Sequence, residues 1–121
     1  MIILKIIFAV FFIYAGIMHF IKPAFFKHFI PNGFPKLTVN YIVGVIEFGL
    51  GLGLFFPEAV SYSAYGIFIL LILFLPIHVW DATKKRPAIG SKIFAYIRIP
   101  LQFLLMYGAY LIYQDSLLII L

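Results

Sequence analysis

Cysteine is absent from this chain of 121 residues. That excludes disulfide exchange, thiolate metal centres and iron–sulfur ligation by the chain alone. Acid is scarce too, with four Asp and Glu against nine Lys and Arg. Charged residues total 11%, where a soluble domain approaches ~25%. A chain that is 65% hydrophobic cannot bury its apolar side chains in a core of this size, so a bilayer is the natural solvent. Phosphate-binding loops, dinucleotide fingerprints and nucleophile triads are also missing. The net charge of +5 lies on no basic stripe that would engage nucleic acid. It flanks apolar runs instead, as expected of anchors to anionic lipid headgroups.

What the chain does have is four long apolar runs, at about 2–21, 38–56, 59–80 and 93–113. Each is near the ~20 residues a helix needs to cross the hydrocarbon core. Backbone groups in lipid must be satisfied internally, so helix is the expected conformation. The predicted architecture is all-α, an integral membrane four-helix transmembrane bundle forming one domain over 1–121. Lys5 lies inside the first run and no small-x-small cleavage site follows, so that run is expected to be a retained helix.

Lys22-Pro23 should end the first helix, and the stretch from Asp81 through Lys84-Lys85-Arg86-Pro87 the third. The connection 22–37 is longer than a turn and carries Phe25, Phe26, Phe29 and Phe34 among Lys22, Lys27 and His28. It reads as an aromatic segment lying in the headgroup region, in which Pro31, Gly33 and Pro35 forbid a long helix. The tail 115–121 is too short to cross again and should extend the last helix or lie at the interface. Lys22, Lys27, Lys36, Lys84, Lys85, Arg86 and Lys92 fall on one side of the membrane, against Lys5 on the other. The positive-inside rule then predicts both termini outside (N-out/C-out); the expected location is a plasma membrane, the bacterial inner membrane.

Polar residues within the runs are the strongest functional pointers. Glu47 lies roughly nine residues, about 13 Å, from the basic end of the second helix. Gln102 is about as deep in the fourth, and Arg98 stacks one turn shallower on the same face. His19 and His78 lie near the same end of helices one and three. These five residues form a polar cluster in the cytoplasmic half, with Glu47 and Arg98 the expected ion pair. Such a pair can be purely structural, or the cluster can hold a small molecule or a proton.

Glycines bear on packing. Gly44 and Gly51 share a broad face with Glu47, while Gly49 and Gly53 form a small-xxx-small pair on another. Pro76 and Pro100 each remove a backbone donor and free a carbonyl one turn earlier, either kinking the helix or lining the cluster. His19 and His78 could be drawn as haem ligands, but histidines near an interface are more often hydrogen-bonded or solvated. Trp80 and the tyrosines read as interface anchors.

Several short elements resemble the DoxX-like family of small four-helix membrane proteins. They are Gly16-Ile17-Met18-His19-Phe20 followed by Lys22-Pro23 and Phe26, then Pro31 and Pro35, then Gly44-Val45-Ile46-Glu47. Leu75-Pro76-Ile77-His78 stands where many members have a Pro-Ala-Asn-type step, and Arg98-Ile99-Pro100-Leu101-Gln102 closes the pattern. The resemblance implies an accessory or subunit protein of a membrane redox system, with a membrane oxidoreductase as partner. Lacking cysteine, this chain could not itself carry the thiol chemistry of some branches. A quinone or other small hydrophobic ligand beside Glu47 and Arg98 fits that reading. The alternatives are a non-catalytic assembly or scaffold protein with a structural Glu47–Arg98 pair, and a small transporter. For a transporter a homo-oligomer could supply the missing surface, and free-standing catalysis is not expected.

Overall fold

The computed structural model describes residues 1–30, 33–84 and 91–120. Pro31, the Lys85-Arg86-Pro87 stop and Leu121 lie outside the described residues. Everything regular among those described is helical: α1 Ile2–Ile21, α2 Pro23–Phe26 with a 3-10 turn Lys27–Phe29, α3 Lys36–Gly53, α4 Val60–Ala82 and α5 Lys92–Ile120. Three of these helices, α1, α4 and α5, are long and apolar enough to cross a membrane. At 18 residues, α3 carries Lys36, Asn40, Glu47 and four glycines, which lower its mean hydropathy.

The punctuation acts where the sequence places it. Lys22 leaves helical geometry at φ −128° while its N–H still closes on Met18 O, and Pro23, whose φ is already helical, opens α2. Gly33 adopts φ +99°, a left-handed turn that an L side chain would resist, just before α3. Ser91 caps α5, its Oγ accepting from the backbone N–H of Ile93 at 3.1 Å and Phe94 at 3.3 Å.

Boundaries differ modestly from expectation. α3 starts two residues earlier, at Lys36, and stops at Gly53. Beyond it the chain tightens through bonds from Leu54, Phe55 and Phe56 N–H to the carbonyls three residues back. α4 runs on to Ala82, where Lys92 Nζ takes the Ala82 carbonyl at 2.8 Å. The tail continues α5 through Ile120, as the helix-extending option expected.

The four long helices pack mainly as antiparallel pairs, α1 with α3 and α4 with α5. Glycine decides how close the first pair comes. A Cβ on Gly16 would lie 2.7 Å from Gly44 O and Phe48 N, and one on Gly51 would lie 2.9 Å from Ala9 O and Ile13 N. Backbone meets backbone there, so neither contact could be relieved by a rotamer change. The two pairs join through side chains seated over glycine: Leu50 of α3 over Gly66 of α4, and Phe8 of α1 over Gly108 of α5. In α5 the buried Ala95, Gln102, Ala109 and Ser116 recur every seventh residue, forming a narrow seam.

This packing splits the molecule lengthwise. Toward the α1 N-terminus Phe8, Ala9, Phe12, Leu54, Val60, Ala64, Ile67, Ala109 and Ile112 form one apolar core. Toward the other end the buried side chains include His19, Asn40, Glu47, Asp81 and Gln102. The long apolar side chains left exposed on every helix are what lipid contact requires.

Candidate functional site

α1 and α3 cross most closely at Gly16 and Gly44, where a Cβ on Gly44 would meet His19 Cβ at 2.8 Å. That approach brings His19 against Asn40 and Glu47, which lie one turn to either side of Gly44 on the same stripe of α3. Asn40, 1% exposed, holds His19 twice. Its Nδ2 donates to His19 O at 2.7 Å, and its Oδ1 faces His19 Nδ1 at 2.5 Å. Because the amide nitrogen is committed to the carbonyl, Oδ1 must accept and Nδ1 must carry the hydrogen. The other ring nitrogen, Nε2, lies 3.3 Å from Glu47 Oε2.

These groups face a cavity of about 320 Å³. Its polar wall is His19, Asn40, Glu47, His78 and Arg98; its apolar wall includes Phe11, Phe12, Phe74, Phe25, Phe26 and Phe29. The segment expected in the headgroup region thus folds over the site. Phe26 stacks on the His19 ring (centroids 3.8 Å apart, planes 18° apart), and Phe29 meets His78 edge-on at 6.1 Å. Lys84 fixes the segment from α4, donating Nζ to His28 O at 2.7 Å while lying 3.9 Å over Trp80 and 3.4 Å from Asp81 Oδ1.

The expected Glu47–Arg98 pair is corrected in its partner. Among the described residues Glu47 forms its ion pair with His19, and Arg98 donates Nε to His78 Nε2 at 3.4 Å. The reason is the α1–α3 contact: glycine on both helices brings His19 to 3.3 Å from Glu47, while Arg98 acts on Glu47 only from beyond ion-pair distance. Arg98 still lines the same cavity. Gln102, wholly buried, stands apart from it, spanning from α5 to α4 where Nε2 donates to Leu71 O at 2.8 Å. That carbonyl neighbours Ile72 O, which Pro76 deprives of its helical donor. Both Gln102 Oε1 and Glu47 Oε2 are buried without a hydrogen-bond partner, the Glu47–His19 contact being electrostatic in geometry.

Of the glycines, Gly44 and Gly51 pack on α1 as their shared face suggests. Gly53 meets Ser63 of α4, whereas Gly49 has nothing within 4 Å of an added Cβ. Of that pair only Gly53 makes a helix contact among the described residues. A haem-ligand role for His19 meets a physical obstacle, since Asn40 and Glu47 already occupy its two ring nitrogens.

Sequence reasoning missed Asn40 and Asp81. Asn40 was legible: it precedes Glu47 by seven residues, as Gly44 precedes Gly51, which puts all four on one stripe. Asp81, 2% exposed, carries no such signal, since it falls within the charged stretch beside Lys84 that marks a helix end.

Fold and site together define an all-helical, multi-pass class of membrane protein with a polar, aromatic-roofed cavity at its basic end. Residues 8–113 match the family described as a domain of unknown function (DUF8561), and the chain belongs to that family. The match takes in every residue of the polar wall. No curated protein and no solved structure matches the chain.

Proposed function

We propose that the protein is a four-helix transmembrane bundle, N-out/C-out in a bacterial inner membrane, that holds a small amphipathic ligand in its cytoplasm-facing cavity. In this reading it serves a membrane redox system as an accessory or subunit protein of DoxX-like type, with quinone among the candidate ligands. The observation that carries the ligand reading is the cavity itself. About 320 Å³ falls in the range of small-molecule sites, and an apolar wall with a few convergent polar groups is their usual chemistry. Glu47 lines that space, its Oε2 buried 3.3 Å from His19 Nε2. The redox role and the oxidoreductase partner rest on the order of the Gly16–Phe20, Gly44–Glu47 and Arg98–Gln102 elements.

Native mass spectrometry of the protein released from lipid tests this reading. A bound small molecule is expected with the wild type and should be lost or weakened with Glu47→Gln. A wild-type spectrum showing the chain and lipid alone would count decisively against it.

A scaffold reading has its own support. The His19–Asn40–Glu47 contacts tie α1 to α3 beside their closest approach, as a structural ion pair would. On that reading Glu47→Gln lowers stability and partner recovery while no ligand is found. Transport is disfavoured by the core around Phe8, Phe12 and Ile67, which fills the other half of the molecule.

A further inference from the structure

Charge balance within the cavity narrows the ligand. Asn40 commits His19 Nδ1 to carrying a hydrogen, so Nε2 and Glu47 Oε2, 3.3 Å apart, have two comfortable states. They can be imidazolium with carboxylate or imidazole with carboxylic acid, and in both states a proton lies between the two atoms. An imidazole lone pair facing an anionic oxygen at that distance would be repulsive. The pair is therefore close to neutral as a unit, and Glu47 reaches Arg98 only as a longer-range attraction, with no contact between them.

Arg98 has little else. Among the described residues its guanidinium makes one hydrogen bond, Nε to His78 Nε2 at 3.4 Å, to a histidine that must accept there and is thus uncharged at that nitrogen. The Nη groups, four N–H donors in a fixed fork, have no hydrogen-bond partner in the described protein although Arg98 lines the cavity. Asp81, the other acid at this end, is 3.4 Å from Lys84. The cavity wall therefore carries one net positive charge, half-buried among phenylalanines, and an uncompensated cation in such surroundings is costly.

We infer that the ligand is an anionic amphiphile, whose carboxylate or equivalent planar anion is held by the Arg98 Nη fork while a flat apolar body lies among Phe26, Phe29 and Phe74. The inference rests on the proposal that the cavity is a ligand site and adds the sign of the ligand's charge. Planar bidentate recognition of carboxylate is the geometry the guanidinium is built for, and the roof rings already stack face-on and edge-on with the two histidines. A neutral quinone would leave the Arg98 charge uncompensated.

Two probes of matched shape decide it: naphthalene-2-carboxylate and its neutral carboxamide, titrated calorimetrically into the protein in phosphatidylcholine nanodiscs, with empty nanodiscs subtracted. The wild type should bind the carboxylate at least ~10-fold more tightly, about the discrimination one charge-assisted contact supplies. Arg98→Gln should abolish the preference and Arg98→Lys keep part of it. Lys27→Gln, a change at an exposed interface lysine, should leave it intact. Equal binding of both probes by the wild type overturns the inference and leaves the ligand site standing. So does a preference that survives Arg98→Gln, or one lost equally with Lys27→Gln. Binding of neither probe removes the ligand site and the inference together. Should Arg98→Gln fail to fold, the wild-type comparison and Lys27→Gln still decide the sign.

Discussion

At the scale of single residues the chain separates groups that must stay as they are from near neighbours that need not. Gly16 and Gly49 are both helical glycines on apolar runs, yet an added Cβ meets two backbone atoms at 2.7 Å in the first and nothing within 4 Å in the second. Gly16→Ala should therefore cost about 1–3 kcal/mol through forced separation of α1 and α3, while Gly49→Ala should cost nothing and could gain a few tenths from helix propensity. Thermal unfolding of both variants in one detergent checks the contrast. Equal effects would mean that α1 and α3 are not in backbone contact at Gly16. Asn40→Leu should be worse than its conservative volume suggests. It strands the His19 Nδ1 hydrogen, whose burial without a partner costs about 1–3 kcal/mol, and it frees the ring to turn away from Glu47. Unfolding midpoints for Asn40→Leu and Asn40→Gln separate the lost bonds from the lost shape. Much of this site was legible in the sequence. Glu47, Arg98, His19 and His78 do line one cavity at the basic end, because depth along a helix follows from residue counting. The partner of Glu47 was not legible. Which of two cations a carboxylate meets depends on interhelical distance, which Gly16 and Gly44 set and no single helix pattern reveals.

At the scale of elements, the short α2 and its 3-10 turn contribute most of the cavity's roof. Three phenylalanines on seven residues cover two histidines from two other helices. With so little hydrogen bonding of its own, the roof depends on outside attachment, and the Lys84–His28 bond joins it to α4 across 56 positions of sequence. Lys84→Ala should therefore raise amide exchange through Phe25–Phe29 several-fold, while α3 and α5 stay protected, since local opening follows local contact density. Unchanged exchange in that segment would show that the phenylalanine stacking alone holds the roof. At the start of α5, Ser91→Ala removes acceptors for two N–H groups and should fray the first turn at a cost of about 0.5–2 kcal/mol. Four of the helices follow to within a few residues from hydropathy and proline, which act locally, except that α5 runs seven residues past the expected 113, to Ile120. The inward fold of the aromatic segment does not, since phenylalanine beside lysine reads equally well as a headgroup anchor. Only the histidines beneath it settle the direction in which the rings turn.

At the scale of the whole molecule, composition and structure point to one asymmetric object, with a packed apolar half and a polar half ringed by lysine. Lys22, Lys27, Lys36, Lys84 and Lys92 cluster around the cavity end, while Glu58 and Asp115 stand at the other. The proposed orientation, from the positive-inside rule, puts the cavity end in the cytoplasm. The absence of cysteine that opened the sequence makes this unusually direct to test, because any introduced thiol is the only one present. Lys27→Cys lies at the cavity end and Glu58→Cys in the exposed turn between α3 and α4, where neither side chain makes a hydrogen bond or ion pair among the described residues. In intact bacterial cells a membrane-impermeant maleimide should label Glu58→Cys and spare Lys27→Cys, and permeabilisation should expose the second. The reverse pattern would turn the bundle over and place its cavity outside. Labelling of both in intact cells would mean that α3 does not cross. That outcome has a physical route: of the four long helices α3 alone falls short of the apolarity a span needs, and its crossing depends on burying Asn40 and Glu47 against α1. The two-site experiment thus tests more than orientation. It asks whether the contacts of His19 with Asn40 and Glu47 let a helix of marginal hydropathy span the bilayer.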